Sequence, residues 1–576
     1  MTLRDDNLRL MTLWDDTFHV MTNKFDDRFA ERHHGVSSGT VITQCHPVGS
    51  SPSVSSASPS SAPRSSPSVS SASPSSAPRS SPSVSSASPY IRTMVFSSAI
   101  FLTAFLPAFL LLYWICPKKL KNPFLLLSSV FFYAWGAPKF IFVIIGTTLI
   151  DFFLVGRMDR SKNEAERKAL LVFSVVMNLG LLVYFKYMNF FIENVNVAMN
   201  GVGLESSIPW TKLVLPIGIS FYTFETLTYV VDVFRRVHKP LKNFWDYQLY
   251  IILFPKLIAG PIIRYHDIAD QIPDRSKTEN STERLLGFYR FCIGLGKKVL
   301  IANALAAFAD SIYGNAETGA GALDPHTLSM GAAWLAALSY TFQIYFDFSG
   351  YSDMAIGIGR MVGFKFPENF NNPYVSQNIT EFWRRWHMTL GGWMRNYLYI
   401  PLGGNKVGKG RLYFNLWLVF LLSGLWHGAS WNYIIWGAWH GLFLVLERAF
   451  LIRWFGSIGK MTRVVFTFVV VVIGWVFFRV EDLHMAWGYV HAMFSINGNV
   501  TVKIDSEWML IAALATLFSF FLLLPKTTKF QDAVFGQRSI GNAGHLALTI
   551  VSASLFVLSL SYITASGFNP FIYFRF

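Results

Sequence analysis

The chain alternates long apolar runs with short, polar and mostly basic connections. Apolar residues dominate positions 95–115, 140–155, 170–185, 213–231, 412–426, 433–446, 464–478, 509–524 and 546–563. Several of these runs approach the roughly 20 residues that carry a helix across a hydrocarbon core of about 30 Å. A lone run of this kind fits a buried helix of a soluble protein; so many in series do not. A membrane barrel would need alternating strands of about ten residues, so helix is the regular structure left to satisfy the backbone in lipid. The pattern predicts an all-α, polytopic membrane protein with on the order of ten to twelve membrane helices around a central cavity. Some of these should be re-entrant or broken. The best example is FPKLIAGPIIR at 254–264, with two prolines and a glycine inside an apolar run. Residues 194–210, 315–326 and 526–542 read as polar connections.

Residues 1–93 stand apart. The fifteen residues SPSVSSASPSSAPRS at 51–65 recur at 66–80, and a partial copy starts at 81. Before them, MTLRDDNLRL, MTLWDDTFHV and MTNKFDDRFA form a looser ten-residue repeat. A Ser/Pro/Ala tract cannot bury a core, and no apolar signal-peptide segment precedes Met94. The reading is a disordered low-complexity tail over 1–93, an extension from an upstream start, followed by one membrane domain over 94–576.

Composition sharpens this picture. The chain is 52% hydrophobic, 16% aromatic and only 14% charged, against about 25% charged residues in soluble domains. Its net charge of +15 would by itself suit a nucleic-acid partner, but the positions of the basic residues argue otherwise. Lys118, Lys119 and Lys121 follow the first span; Arg157, Arg160, Lys162, Arg167 and Lys168 follow the third; Arg235, Arg236, Lys239 and Lys242 follow the fifth. With a short span at 123–135 as the second, all three clusters share one side. The positive-inside rule makes that side cytoplasmic and leaves residue 94 outside. The charge orients the chain in a lipid bilayer and implies no nucleic acid. Cys45, Cys116 and Cys292 match no metal or disulfide spacing, and no metal site is expected.

Candidate chemistry sits in four places. GGNKVGK at 403–409 has the spacing of a phosphate-binding loop, but Gly410 stands where Ser or Thr is needed; it reads as a basic cytoplasmic turn. NITEFWRRWHMTLGGW at 378–393 combines Trp383, Trp386 and Trp393 with Arg384, Arg385 and His387. At helical spacing Trp383 and His387 share a face, as do Trp386 and Trp393, and Trp with Arg suits a helix at the membrane–water boundary. In SGLWHGASW at 423–431, His427 lies about 16 residues into its span, roughly 24 Å along the helix and past the midplane. Ionisable side chains at such depth are costly and functional by default. Gly424 and Gly428 thin the helix beside it for a substrate or another helix, and His440 in the next span is a weaker candidate. QIYFDFSGYSD at 343–353 places Asp347 and Asp353 at membrane depth, where each must face a polar cavity or a partner such as Arg384. A structural ion pair and a catalytic role are both open.

LPIGISFYTFETLTYVVDVFRR at 215–236, FPKLIAGPIIRY, QIYFDFSGYSDMAIG, ITEFWRRWH and LWHGASWNYIIWGAWHG together resemble the bacterial membrane-bound O-acyltransferases, and within them the alginate O-acetyltransferase branch. The resemblance extends from MVFSS at Met94 to the terminal FIYFRF. It implies a membrane enzyme with two active-site histidines, matching His387 in WRRWH and His427 in LWHG. It also implies acetyl-CoA as the cytoplasmic acyl donor, no bound cofactor, and an exported polysaccharide such as alginate as the indirect acceptor. A separate periplasmic acetyl-transferring protein and a bacterial inner-membrane location follow from the same resemblance. Acyl transfer to a hydroxyl needs a base, and a neutral His427 suits that role. His387, nearer the cytoplasmic end, would orient the donor or polarise its carbonyl. Trp383, Arg384, Arg385, Asp347 and Asp353 are the expected substrate-binding residues, the arginines drawing in the anionic CoA moiety. A polysaccharide or lipid transporter using the histidine as a proton relay is the competing reading. Paired halves are common in such transporters; WRRWH and LWHG each occur once, which favours the enzyme. A scaffold without chemistry of its own is a third reading, separated by measuring thioester consumption.

Overall fold

A computed structural model describes residues 94–204, 208–315, 319–524, 527–535 and 540–566. The tail read at 1–93 lies outside the described residues. What is described is helical, with one isolated bridge between Leu328 and Val500. In chain order the main helices are α1 (Phe101–Ile115), α2 (Lys121–Gly136), α3 (Ile141–Arg160), α4 (Glu164–Gly201), α5 (Ile219–Phe234) and α6 (Phe244–Ile252). They continue with α7 (Ser281–Tyr313), α8 (Met330–Met361), α9 (Ile379–Arg385), α10 (Met388–Trp393), α11 (Lys409–His427) and α12 (Trp431–Phe455). The last are α13 (Lys460–Arg479), α14 (Leu483–Ala492), α15 (Ser506–Leu523) and α16 (Asn542–Ser566). Among the described residues seven helices, α3, α4, α7, α12, α13, α15 and α16, are long and apolar enough to cross a membrane. The apolar runs of the sequence fall largely on helices, although the one at 213–231 enters α5 only at Ile219. α4 continues to Gly201, past the point at 194 where a polar connection was expected.

The centre of the molecule is α8. Every residue from 339 to 359 is buried, including Asp347, Ser349, Ser352 and Asp353. One apolar cluster joins its second half to α1, α2, α5 and α6; another joins its first half to α9, α12, α13 and α14. The charges at this depth are paired. Asp353 meets Arg290 and Lys297, each at 2.7 Å, and Asp347 meets Lys298 at 2.6 Å, all three cations on α7. The aspartates thus find their partners on the neighbouring helix, and the pairing with Arg384 anticipated from sequence is replaced by one with α7.

The segment at 254–264 is broken, as its prolines require. A single turn at Phe254–Leu257 gives way to irregular backbone, and all of 253–263 is buried. Buried backbone groups released from a helix must find other partners. Here Phe254 N–H donates to Ser129 Oγ at 3.1 Å, Ile262 N–H to Thr389 Oγ1 at 2.9 Å, and Ile263 N–H to Glu225 at 3.4 Å. Glu225 also holds Lys256 in an ion pair sealed from solvent on both sides.

The three basic clusters gather at one end. Arg236 pairs with Glu164 at 3.3 Å, and Arg167 donates to the carbonyls of Met158 at 3.0 Å and Phe234 at 2.6 Å. Asn122 donates to Asp246 at 3.0 Å and to Ile272 O at 2.9 Å. The loops after α1, α3 and α5 therefore share a side, as the charge pattern requires. The glycine-rich segment at 403–409 is a turn, as expected: Gly403 and Gly404 have φ of 101° and 52°, and no strand leads into it.

Candidate active site

His427 is the last residue of α11. Gly428 is extended (φ −164°, ψ 149°) and ends the helix, and α12 starts three residues later. The two helices form a hairpin whose backbones touch. A Cβ on Gly424 would lie 2.2 Å from the carbonyl oxygen of Tyr433, and one on Gly437 would lie 2.4 Å from that of Phe420. The glycines beside His427 therefore make room for another helix. The imidazole is 6% exposed and walled by Trp426, Trp436 and Phe478 at ring-centre distances of 4.9, 5.1 and 5.3 Å.

His387 is set differently from the sequence expectation. The single interfacial helix predicted for 378–393 is two short helices, because Trp386 is extended and His387 adopts the left-handed region (φ 45°, ψ 52°). Trp383 and His387 therefore do not share a helix face, and neither do Trp386 and Trp393. The cause is the neighbouring loop. Asn371 N–H donates to Arg385 O and Met388 N–H to Asn369 O, both at 2.9 Å, pulling the chain out of helix at the junction. A non-glycine residue held there costs of order 1–3 kcal/mol and persists only when its surroundings enforce it. Trp386 and His387 are 3% and 1% exposed, so the end of the motif turns into the interior while Arg384 stays exposed.

Asn369 also decides which imidazole nitrogen of His387 carries the proton. Its amide Nδ2 donates to Ser352 Oγ at 3.0 Å and Gly260 O at 3.3 Å, which leaves Oδ1 as the acceptor for Thr389 Oγ1 at 2.9 Å. His387 Nδ1 lies 3.0 Å from that same Oδ1 and must donate to it. In the neutral ring the lone pair is then on Nε2. An imidazole held this way accepts a hydrogen bond or a proton at Nε2 and does not polarise a carbonyl there.

The two histidines meet at Trp426, whose ring centre is 4.9 Å from that of His427 and 6.4 Å from that of His387. Both thus approach one tryptophan, where the sequence had counted their depths along separate segments. Trp426 is also a wall of a cavity of about 920 Å³, shared with Phe224, Trp393, Leu182 and Val231. Trp383 packs against Phe420 and His440, each at 5.0 Å. Arg384 is exposed, and Arg385 is held by Glu381 at 2.9 Å. Asp347 and Asp353 are occupied by their α7 partners. Sequence reasoning passed over Asn369, which has no motif of its own, and Lys186, a charge within the apolar run LLVYFKYMNFF. The rule that selected His427 would have found Lys186.

The membrane-bound O-acyltransferase family model matches residues 181–480, which contain the hairpin, the broken segment and both histidines. The chain belongs to this family. The membrane-bound O-acyltransferase is 43% identical to a probable alginate O-acetylase AlgI of Pseudomonas putida, over 84% of this chain and all of that one. It is 37% identical to a peptidoglycan O-acetyltransferase of Helicobacter pylori, over 72% of this chain and 82% of the other. A teichoic acid D-alanyltransferase of Bacillus subtilis is 28% identical over 48% of this chain and 71% of its own length. The chain is thus an O-acyltransferase and a multi-pass membrane protein.

Proposed function

We propose that this O-acyltransferase takes an acetyl group from acetyl-CoA at the cytoplasmic face of a bacterial inner membrane and passes it across for O-acetylation of an exported polysaccharide, alginate or a similar polymer. The substrate class is supported by the relatives that carry alginate and peptidoglycan acetylation in their names. The observation that carries the chemistry is the pair of buried histidines facing one tryptophan at the tip of a helical hairpin.

His427 acts as the base. It takes the proton of the attacking hydroxyl, whose oxygen bonds to the thioester carbonyl carbon; the C–S bond breaks, and the departing thiolate recovers the proton. His387, with its lone pair on Nε2, accepts a hydrogen bond from the incoming hydroxyl and orients it. Arg384 and Arg385, in the same motif as His387, attract the phosphates of CoA. The immediate hydroxyl belongs to a separate periplasmic protein, which hands the acetyl group to the sugar. In purified protein, His427→Ala should abolish thioester consumption while leaving abundance unchanged. Normal acetylation by that variant would sink the assignment.

A further inference from the structure

Lys186 lies on a π-helical turn, Val183–Tyr187, within α4. Such turns are frequent at functional sites. Its side chain is buried, and Nζ donates to Trp426 O at 2.5 Å, to His427 O at 3.3 Å and to Ser220 Oγ at 3.1 Å. The adjacent Tyr187 donates its hydroxyl to Leu425 O at 2.9 Å. Three successive carbonyls at the end of α11, which a helix leaves without backbone partners, are thus taken by two side chains of one turn. The three acceptors of Nζ match the three donors of an ammonium group. All three are neutral, and the helix end supplies partial negative charge in place of a carboxylate. Nζ also lies 5.8 Å from the ring centre of Trp426, the residue that touches both histidines.

We infer that Lys186 is a positioning residue for His427: it clamps the end of the helix that carries the imidazole and sets a positive charge beside it. The inference rests on His427 being the base. A simple structural cap would do the first of these things and not the second. The rings that wall the imidazole, Trp426, Trp436 and Phe478, carry no charge, and Nζ of Lys186 reaches the carbonyl of His427 itself at 3.3 Å, so removing the lysine charge has a readable consequence. A nearby cation disfavours protonation of an imidazole; without it, the base becomes protonated at higher pH.

The test uses the full-length protein in proteoliposomes, with thioester consumption followed across pH. Lys186→Gln keeps a donor for the carbonyls and removes the charge. Its kcat should fall about 10- to 100-fold, with the donor KM unchanged. The acid limb of its pH–rate profile should move up by about 1 pH unit. Tyr187→Phe should lower kcat by less and leave the limb in place. Wild-type kcat with an unmoved limb for Lys186→Gln overturns the inference. So does a fall in kcat with the limb unmoved, which makes the lysine a cap only. If Lys186→Met fails to accumulate, Lys186→Gln decides, because it retains hydrogen bonding. Retained activity in His427→Ala would instead remove the base assignment, which distinguishes that failure from this one.

Discussion

The contact between α11 and α12 can be tested with one methyl group. In Gly424→Ala the new Cβ falls 2.2 Å from Tyr433 O, where ordinary contact begins at 3.4 Å. The obstacle is backbone, so a rotamer change cannot relieve it. The hairpin must open by about 1 Å, or α11 must bend. Overpacking of this kind costs about 1–3 kcal/mol, more than the roughly 0.8 kcal/mol gained by burying one carbon. Turnover should suffer more than stability. His427, the proposed base, is three residues beyond Gly424, and a displacement of about 1 Å at a reacting group costs on the order of 100-fold in rate. The assay pairs initial rates of thioester consumption with thermal unfolding in detergent. Gly180→Ala in α4 is the control: nothing lies within 4 Å of its Cβ position, so a helix-favouring residue should be neutral or stabilise by up to about 1 kcal/mol. Wild-type turnover and unfolding temperature in Gly424→Ala would refute the reasoning, and with it the idea that this contact sets the place of His427.

Asn369→Leu removes the acceptor that fixes the His387 ring and should lower kcat about 100-fold, whereas Asn369→Asp keeps an oxygen in place and should retain more activity; equal activity in the two variants would contradict the tautomer assignment. Glu225→Gln strands the Lys256 ammonium in a dry site and should cost about 3–5 kcal/mol, seen as lower abundance in the membrane, while Glu225→Leu with Lys256→Met should recover much of the loss. Arg384→Ala should raise the KM for the proposed donor, acetyl-CoA, about tenfold without changing kcat; an unchanged KM would detach this arginine from the donor.

The membrane helices were legible because lipid imposes one rule on every span, and the apolar runs at 140–155, 170–185 and 464–478 obey it. α8 was less so. Its aspartates and serines break the hydropathy pattern, since it is surrounded by protein and its charges are met by α7. For WRRWH the helical spacing gave the wrong geometry. Helical spacing joins Trp383 to His387, but the loop at 369–371 competes for the same backbone groups, and no local pattern announces a competitor so distant along the chain. The same holds for His387 and His427. Their depths were counted along separate segments, while their meeting at Trp426 depends on how those segments pack.

The charges between α7 and α8 bear on how the protein is made. α7 carries Arg290, Lys297 and Lys298, and α8 carries Asp347 and Asp353. Each such residue placed alone at the centre of a span costs about 2.5–3.5 kcal/mol on insertion. α7 therefore enters the bilayer as an unstable guest until the two aspartates of α8 arrive and, with Glu368 beyond it, pair with its three cations. The two helices are expected to leave the insertion machinery together, as a pair, and truncation between them should leave a chain that the cell degrades.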